Sequence, residues 1–206
     1  MINAQTKLKM LTLQKQLVYL LLFLLPYYLH SQDQRFRSGL ILGLNFSELE
    51  GESITDYYGW NTGIMGIAKL SERTQLGVEF LFSQNGEYIL PSYYPAIDYG
   101  KIRLNHLEIP IHFDRLVKSD SAKDWYNGRI SFGLAYTKLL GYYVEDTEGR
   151  TVTEEIIYDK KDALNIQAGV TYYFTKKTGI NLRASFPLHD GFLIWTISAR
   201  FVYLFF

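Results

Sequence analysis

Trp195-Thr-Ile-Ser-Ala-Arg-Phe-Val-Tyr-Leu-Phe-Phe206 is the stretch whose parity decides the fold. Trp195, Ile197, Ala199, Phe201, Tyr203 and Phe205 fall on one face of an extended chain; Thr196, Ser198 and Arg200 fall on the other. Successive side chains of a strand point to opposite faces, so this segment has one oily and one polar side. An aromatic strand with no polar tail is unusual at the end of a water-soluble domain. It suits a strand that closes a membrane barrel and carries part of an aromatic girdle.

Working backwards, seven more segments show the same period of two. They are Ser38–Ser47, Tyr58–Leu70, Thr74–Gln84, Ile102–Leu116, Tyr126–Gly141, Lys161–Phe174 and Thr178–Phe186. In the third, Leu76, Val78, Phe80 and Phe82 alternate with Gln75, Gly77, Glu79 and Ser83. The second is less regular, because Met65 and Ile67 sit opposite Trp60, Ile64, Ala68 and Leu70. Eight alternating strands of roughly ten residues predict an all-β fold, an eight-stranded antiparallel up-and-down transmembrane β-barrel.

The links between these strands alternate in length. Ser71–Arg73 and Thr175–Lys177 are short, and Val117–Trp125 is intermediate. Glu48–Tyr57, Asn85–Lys101 and Tyr142–Lys160 are longer, while Pro187–Gly191 is short. With both termini periplasmic, the longer set falls outside the cell, as in outer-membrane barrels. A soluble lipocalin-like ligand-binding barrel would show the same parity with the apolar face turned inward. Glycines in the polar set (Gly43, Gly77, Gly133, Gly169) favour a crowded polar lumen and a lipid-facing apolar side.

The first residues form a secretion leader. Lys7, Lys9 and Lys15 precede the apolar run Leu17–Leu25, which Pro26 ends. Nine apolar residues are too few for a membrane-spanning helix, which needs about 20. The reading is a signal peptide over 1–31, cleaved near Ser31/Gln32, and a barrel domain over 32–206. Aromatic residues make up 16% of the chain, a composition that favours strands. There is no cysteine, so no disulfide or thiolate metal site exists. Lys+Arg and Asp+Glu number 21 each; without the three leader lysines the balance is 18 against 21, net −3. That balance gives no electrostatic footprint for nucleic acid.

Chemistry on the polar face is confined to a few charges. Glu79, Glu108, Arg183 and Arg200 fall near mid-strand, with Arg129 nearer a strand end. Buried charges must be paired. The expectation is an interior carboxylate–guanidinium network among these five, filled in by Asn45, Asn165, Gln167 and Thr171, that plugs the lumen. A narrow porin-like pore for small solutes is the alternative. His106, Glu108 and His112 share a face, but i and i+6 lie about 20 Å apart along a strand, too far for one ion. Neither metal nor cofactor is expected. No Gly-x-Ser-x-Gly occurs, and His106, His112 and His189 are the only histidines beyond the leader, so no enzyme is expected. Pro110 cannot donate to a ladder and predicts a bulge or break in the fourth strand.

The longer links hold Glu48, Glu50, Glu52 and Asp56, then Glu145, Asp146, Glu148, Glu154, Glu155 and Asp159, read chiefly as solvated loop faces. Tyr57, Tyr58, Tyr93, Tyr94, Tyr142 and Tyr143 fall near the same rim, as girdle residues or as outer-loop contacts with a protein or carbohydrate.

Several stretches carry a family resemblance. Ile41-Leu-Gly-Leu-Asn-Phe-Ser47, Gly59-Trp-Asn-Thr-Gly63, Leu70 to Gly86 and Leu107-Glu-Ile-Pro-Ile111 resemble, in order and spacing, the PorT-like outer-membrane β-barrel family of Bacteroidetes. The extra Phe206 departs from that pattern. The resemblance implies an eight-stranded barrel in the cell outer membrane. It also implies a non-enzymatic structural, interaction or accessory role, with a link to the gliding-associated (type IX) secretion apparatus. The partners expected are outer-membrane lipid and lipopolysaccharide, the barrel-assembly machinery through the last strand ending at Phe205, and a protein at the loops. The barrel is expected to be a monomer.

Overall fold

The computed structural model describes residues 35–48, 57–89, 100–118, 125–146, 151–152, 161–188 and 195–205. Nine strands run through them. They are β1 (Phe36–Glu48), β2 (Tyr57–Lys69), β3 (Thr74–Ile89), β4 (Gly100–Val117), β5 (Gly128–Asp146), β6 (Thr151–Val152), β7 (Asp162–Tyr173), β8 (Thr178–Pro187) and β9 (Trp195–Leu204). Eight of them make the wall in the order β1-β2-β3-β4-β5-β7-β8-β9, and β9 returns to β1. The ninth, β6, is a two-residue strand paired with Val144 and Glu145 of β5. The eight-stranded antiparallel barrel expected from the alternation is the fold observed. The leader assigned to residues 1–31 lies outside the described residues.

Closure is complete along one seam. β1 and β9 pair from Gly39↔Leu204 to Glu48↔Trp195, and the Phe205 amide donates to the Ser38 carbonyl at 2.9 Å. A closed sheet leaves no edge strand, so every wall strand finds partners on both sides. The short links are tight turns. Leu70 and Ser71 amides donate to the Thr74 carbonyl, and the Thr175 hydroxyl accepts from the amides of Lys177 and Thr178.

Parity then sorts the side chains, and it does so opposite to a soluble protein. Leu42, Phe113 and Phe132 are 60%, 61% and 59% exposed on the outside, whereas Glu79 and Arg129 are 1% exposed inside. Rings on the outer surface gather at both ends of the wall. Towards the long links, Phe46 meets Tyr58 and Trp60 meets Phe82; towards the turns, Tyr172 meets Phe174 and Tyr203 meets Phe205.

Three details refine the sequence reading. β3, β4 and β5 run 16, 18 and 19 residues, so Tyr142 and Tyr143 lie on a strand and not in the third long link. At Pro110, where a bulge or break is expected, the β3–β4 register stops after Val78↔Ile111 and resumes at Leu81↔Glu108 without a slip, so the break is what occurs. The bulge lies further along β4. Asn105 pairs with Gly141 and His106 with Leu139, leaving Leu140 as the extra residue on β5.

The third detail accounts for the irregular second strand. Met65 and Ile67 point inward and join Ile41, Leu81, Tyr173, Val202 and Leu204 in an apolar cluster within the lumen, with Trp125 packed against it. Ile67 lies opposite Gly77 near the β2–β3 turn, and Leu204 lies opposite Gly39, so the cluster fills the turn end of the barrel. Met65→Ala should lower unfolding stability in detergent by about 2–5 kcal/mol, the usual cost of a core methionine truncation. Ile64→Ala, one residue away on the outer face, should cost much less. Parallel denaturant titrations of the two variants would check the inward assignment.

Candidate functional site: the charged lumen

Above the apolar cluster the lumen is polar, and one carboxylate organises it. Glu79 projects inward from β3 because it shares parity with Gln75, Gly77 and Ser83. Arg183 on β8 reaches it with both terminal nitrogens, Nη2 to Oε1 at 2.7 Å and Nη1 to Oε2 at 2.8 Å. Arg200 on β9 adds Nη1 to Oε2 at 2.9 Å. A bidentate fork on a carboxylate is the strongest ion-pair geometry that proteins use. All three side chains are buried, so each charge depends on the others for the solvation it has lost.

The fourth ligand of Glu79 is a ring. His112 Nε2 lies 3.0 Å from Glu79 Oε1, and its Nδ1 lies 2.7 Å from Asp114 Oδ1. The imidazole therefore bridges two carboxylates on neighbouring strands. Gly77 is what lets it lie there. It faces His112 across the β3–β4 ladder, and a Cβ on Gly77 would come within 2.0 Å of His112 Cε1. Asp114 leads on to Arg129, whose Nη1 is 3.4 Å from Asp114 Oδ2. The Arg129 guanidinium also sits 5.6 Å from the Tyr173 ring centroid, and its Nε donates to the Thr171 hydroxyl at 3.2 Å.

Amides and hydroxyls tie these groups together. Asn181 accepts from Arg200 Nε at 2.8 Å and from Nη2, and donates to Thr171 Oγ1 at 2.9 Å. Gln167 accepts from Arg183 Nη1 at 3.0 Å and donates to Glu108 Oε1. Nearer the long links the lining turns neutral. Asn45 donates to Ser83 Oγ at 2.8 Å and Asn85 Oδ1 at 2.9 Å, and accepts from Asn61 and Ser198. Ser83, Ser185 and Ser198 thus spend their hydroxyls on amide groups. A cavity of about 20 Å³, lined among others by Asn61, Glu108, Asn165 and Gln167, remains above the ion pairs. It has room for a water molecule or two.

The five charges singled out in the sequence all face the lumen, but they do not form one direct cluster. Glu79, Arg183 and Arg200 meet; Glu108 joins through Gln167; Arg129 joins only through Asp114 and His112. Asp114, His112 and Asn181 were not among the expected members of the network. Asp114 shares parity with Glu108 and His112, which was the available signal. Asn165 donates to Thr137 at 3.3 Å, away from the charges.

The rim tyrosines are dispersed. Tyr58 is exposed on β2, while Tyr142 and Tyr143 are on β5, three strands further round, and point to opposite faces. Tyr93, Tyr94 and the Tyr57 side chain lie outside the described residues, as do most of the acidic loop positions.

The fold and its filled interior define a closed eight-stranded barrel, apolar outside and polar within. Solved structures similar to it in fold include three outer-membrane proteins. Ail, the attachment invasion locus protein of Yersinia pestis, shows 11% identity and a TM-score of 0.47, covering 84% of this chain and 100% of its own. Neisserial surface protein A shows 12% and 0.47, covering 82% and 97%. OprG of Pseudomonas aeruginosa shows 10% and 0.39, covering 82% and 90%. No family model and no curated protein matches the sequence. The readings that follow rest on this chain's own side chains.

Glu79→Gln should cost about 3–5 kcal/mol of stability, because it leaves two buried guanidinium groups against a neutral amide. Combining it with Arg200→Gln should recover part of that loss. Chemical unfolding of the single and double variants in detergent would measure both, and additive losses would contradict the contact.

Proposed function

We propose that this chain is a non-enzymatic outer-membrane β-barrel that acts as a structural or interaction protein, with a lumen closed to solutes. One observation carries the reading: large apolar side chains cover the outside while Glu79, Arg129, Arg183 and Arg200 are buried inside. Water would reverse that arrangement; hydrocarbon demands it. Ten residues of β9 rising about 3.4 Å each, tilted by about 40°, cover roughly the 25 Å of an outer-membrane apolar band. The ring pairs at both ends of the wall stand where a bilayer has its interfaces.

The lumen argues against the porin-like alternative. A solute entering from the long-link end meets the Glu79–Arg183–Arg200 contact and then the apolar cluster around Met65 and Val202. Two successive obstructions of different chemistry act in series. The lipocalin-like alternative needs an apolar interior open to a ligand, and the interior here is filled and largely charged.

The narrower reading draws on the sequence. The stretches Ile41 to Ser47 and Leu107 to Ile111 resemble PorT-like barrels of Bacteroidetes, which supports an accessory role linked to type IX secretion. On that reading the protein is a monomer with both termini in the periplasm. It is inserted by the barrel-assembly machinery through the strand ending at Phe205, and its loops dock a protein partner.

The purified chain should require detergent, run faster on gels before boiling than after, and show no steady conductance in planar bilayers. A detergent-free monodisperse protein would refute the membrane reading, and stable channel openings would refute the closed lumen. Phe132→Lys, a charge at the middle of the outer face, should destabilise the bilayer-inserted barrel by about 2–4 kcal/mol. Urea-driven unfolding from lipid vesicles would read that change.

A further inference from the structure

The turn end of the barrel carries a group of cations that the lumen does not use. Arg115 follows Phe113 on the outer face of β4 and lies opposite Thr74, whose hydroxyl takes its Nη1 at 3.4 Å. Arg73, in the β2–β3 turn, donates Nε to the Tyr126 hydroxyl at 3.1 Å. Lys118, just past β4, holds its Nζ 5.8 Å from the centroid of that same ring. Among the described residues, the contacts of these three cations are a hydroxyl, a phenol and a ring face. All three are exposed.

Their position gives the patch its meaning. Immediately towards the barrel centre the outer wall is apolar, with Phe113 61% and Ile130 52% exposed. Arg115 sits opposite Ile130 across the β4–β5 ladder. A group of exposed cations bordering an apolar wall matches one ligand shape, an anionic headgroup whose acyl chains run along the wall. Tyr126 supplies the amphipathic ring that sits at such a boundary.

We infer that Arg73, Arg115, Lys118 and Tyr126 form a binding site for the headgroup of an anionic phospholipid in the periplasmic leaflet. The inference rests on the outer-membrane reading, and it names the lipid class held at the turn end. The phosphate is met by the Arg73 and Arg115 guanidinium groups and the Lys118 ammonium, while the acyl chains lie on Phe113 and Ile130.

The test is native mass spectrometry of the full mature barrel, released from micelles holding equal amounts of chain-matched phosphatidylglycerol and phosphatidylcholine. The wild type should retain phosphatidylglycerol over phosphatidylcholine by roughly tenfold, the scale that a few basic groups give beside an anionic surface. Arg73→Gln/Arg115→Gln/Lys118→Gln should bring the ratio close to one, while Lys138→Gln/Lys161→Gln near the long links should leave it unchanged. If the triple variant does not fold, the wild-type preference must still collapse with added salt, and Lys118→Gln alone must lower it. Equal retention of both lipids by the wild type, or a preference surviving the triple variant, would overturn the site. In a second set of micelles holding equal lipid A and phosphatidylglycerol, a preference for lipid A would also overturn it, by placing this end in the outer leaflet. Failure of the membrane reading would look different: the protein would be monodisperse without detergent.

Discussion

Glu79 accepts from Arg183 and Arg200 and also meets His112, and the need to keep that carboxylate paired sets conditions that the rest of the lumen meets. Three groups, from β4, β8 and β9, converge on it, so it joins β3 to strands that are not its neighbours in the wall. Carrying two guanidinium groups on one carboxylate leaves positive charge in excess locally. Gln167 turns its oxygen to Arg183, and Asn181 turns its oxygen to Arg200. Each of those amides then needs acceptors for its nitrogen, which Glu108 and Thr171 provide. The polar interior is best understood as the chain of consequences of one desolvated carboxylate.

The barrel's narrowness makes that arrangement workable. With eight strands the interior is only wide enough for side chains. Large groups therefore need small ones facing them. Gly77 makes space for the His112 ring, and Gly43 makes space for Arg200, whose Cγ lies 2.6 Å from where a Cβ would stand. Along the axis the filling changes from neutral amides and hydroxyls, through ion pairs, to an apolar base. The base seals the turn end largely with aliphatic side chains, Met65, Ile67, Val202 and Leu204 among them.

Most of the fold was legible because a strand's parity survives in sequence. Leu76, Val78, Phe80 and Phe82 against Gln75, Gly77, Glu79 and Ser83 state the two faces of β3 without ambiguity. The apolar base was less legible for the same reason. Met65, Ile67, Val202 and Leu204 stand on the polar parity, and alternation alone cannot distinguish an inward apolar residue from an irregular strand. The ion network was legible in membership but not in wiring. Strand spacing puts Arg129 inside, yet its pairing with Asp114 depends on the relative stagger of β4 and β5, which the register sets and the sequence does not print. The bulge at Leu140 is of the same kind, since it appears only when two strands are laid side by side.

A lumen whose central carboxylate is fully paired has a consequence for where this protein can act. Glu79, Arg183 and Arg200 are committed to one another, Asn45 bonds Ser83, Asn85, Asn61 and Ser198, and the remaining cavity of about 20 Å³ holds only water-sized contents. A solute that entered would have to displace partners whose loss leaves buried charges bare, a cost of several kcal/mol per ion. The wall offers little more, because its outer face is uniformly apolar between the ring pairs and recognises hydrocarbon in general. Recognition of anything particular is thereby pushed to the two rims. They differ: β3, β4 and β5 rise past their neighbours at the long-link end, whereas the turn end is cut short and basic around Arg73, Arg115 and Lys118. On the proposed reading, a filled cylinder that holds two chemically different rims apart suits a protein that docks others better than one that passes solutes.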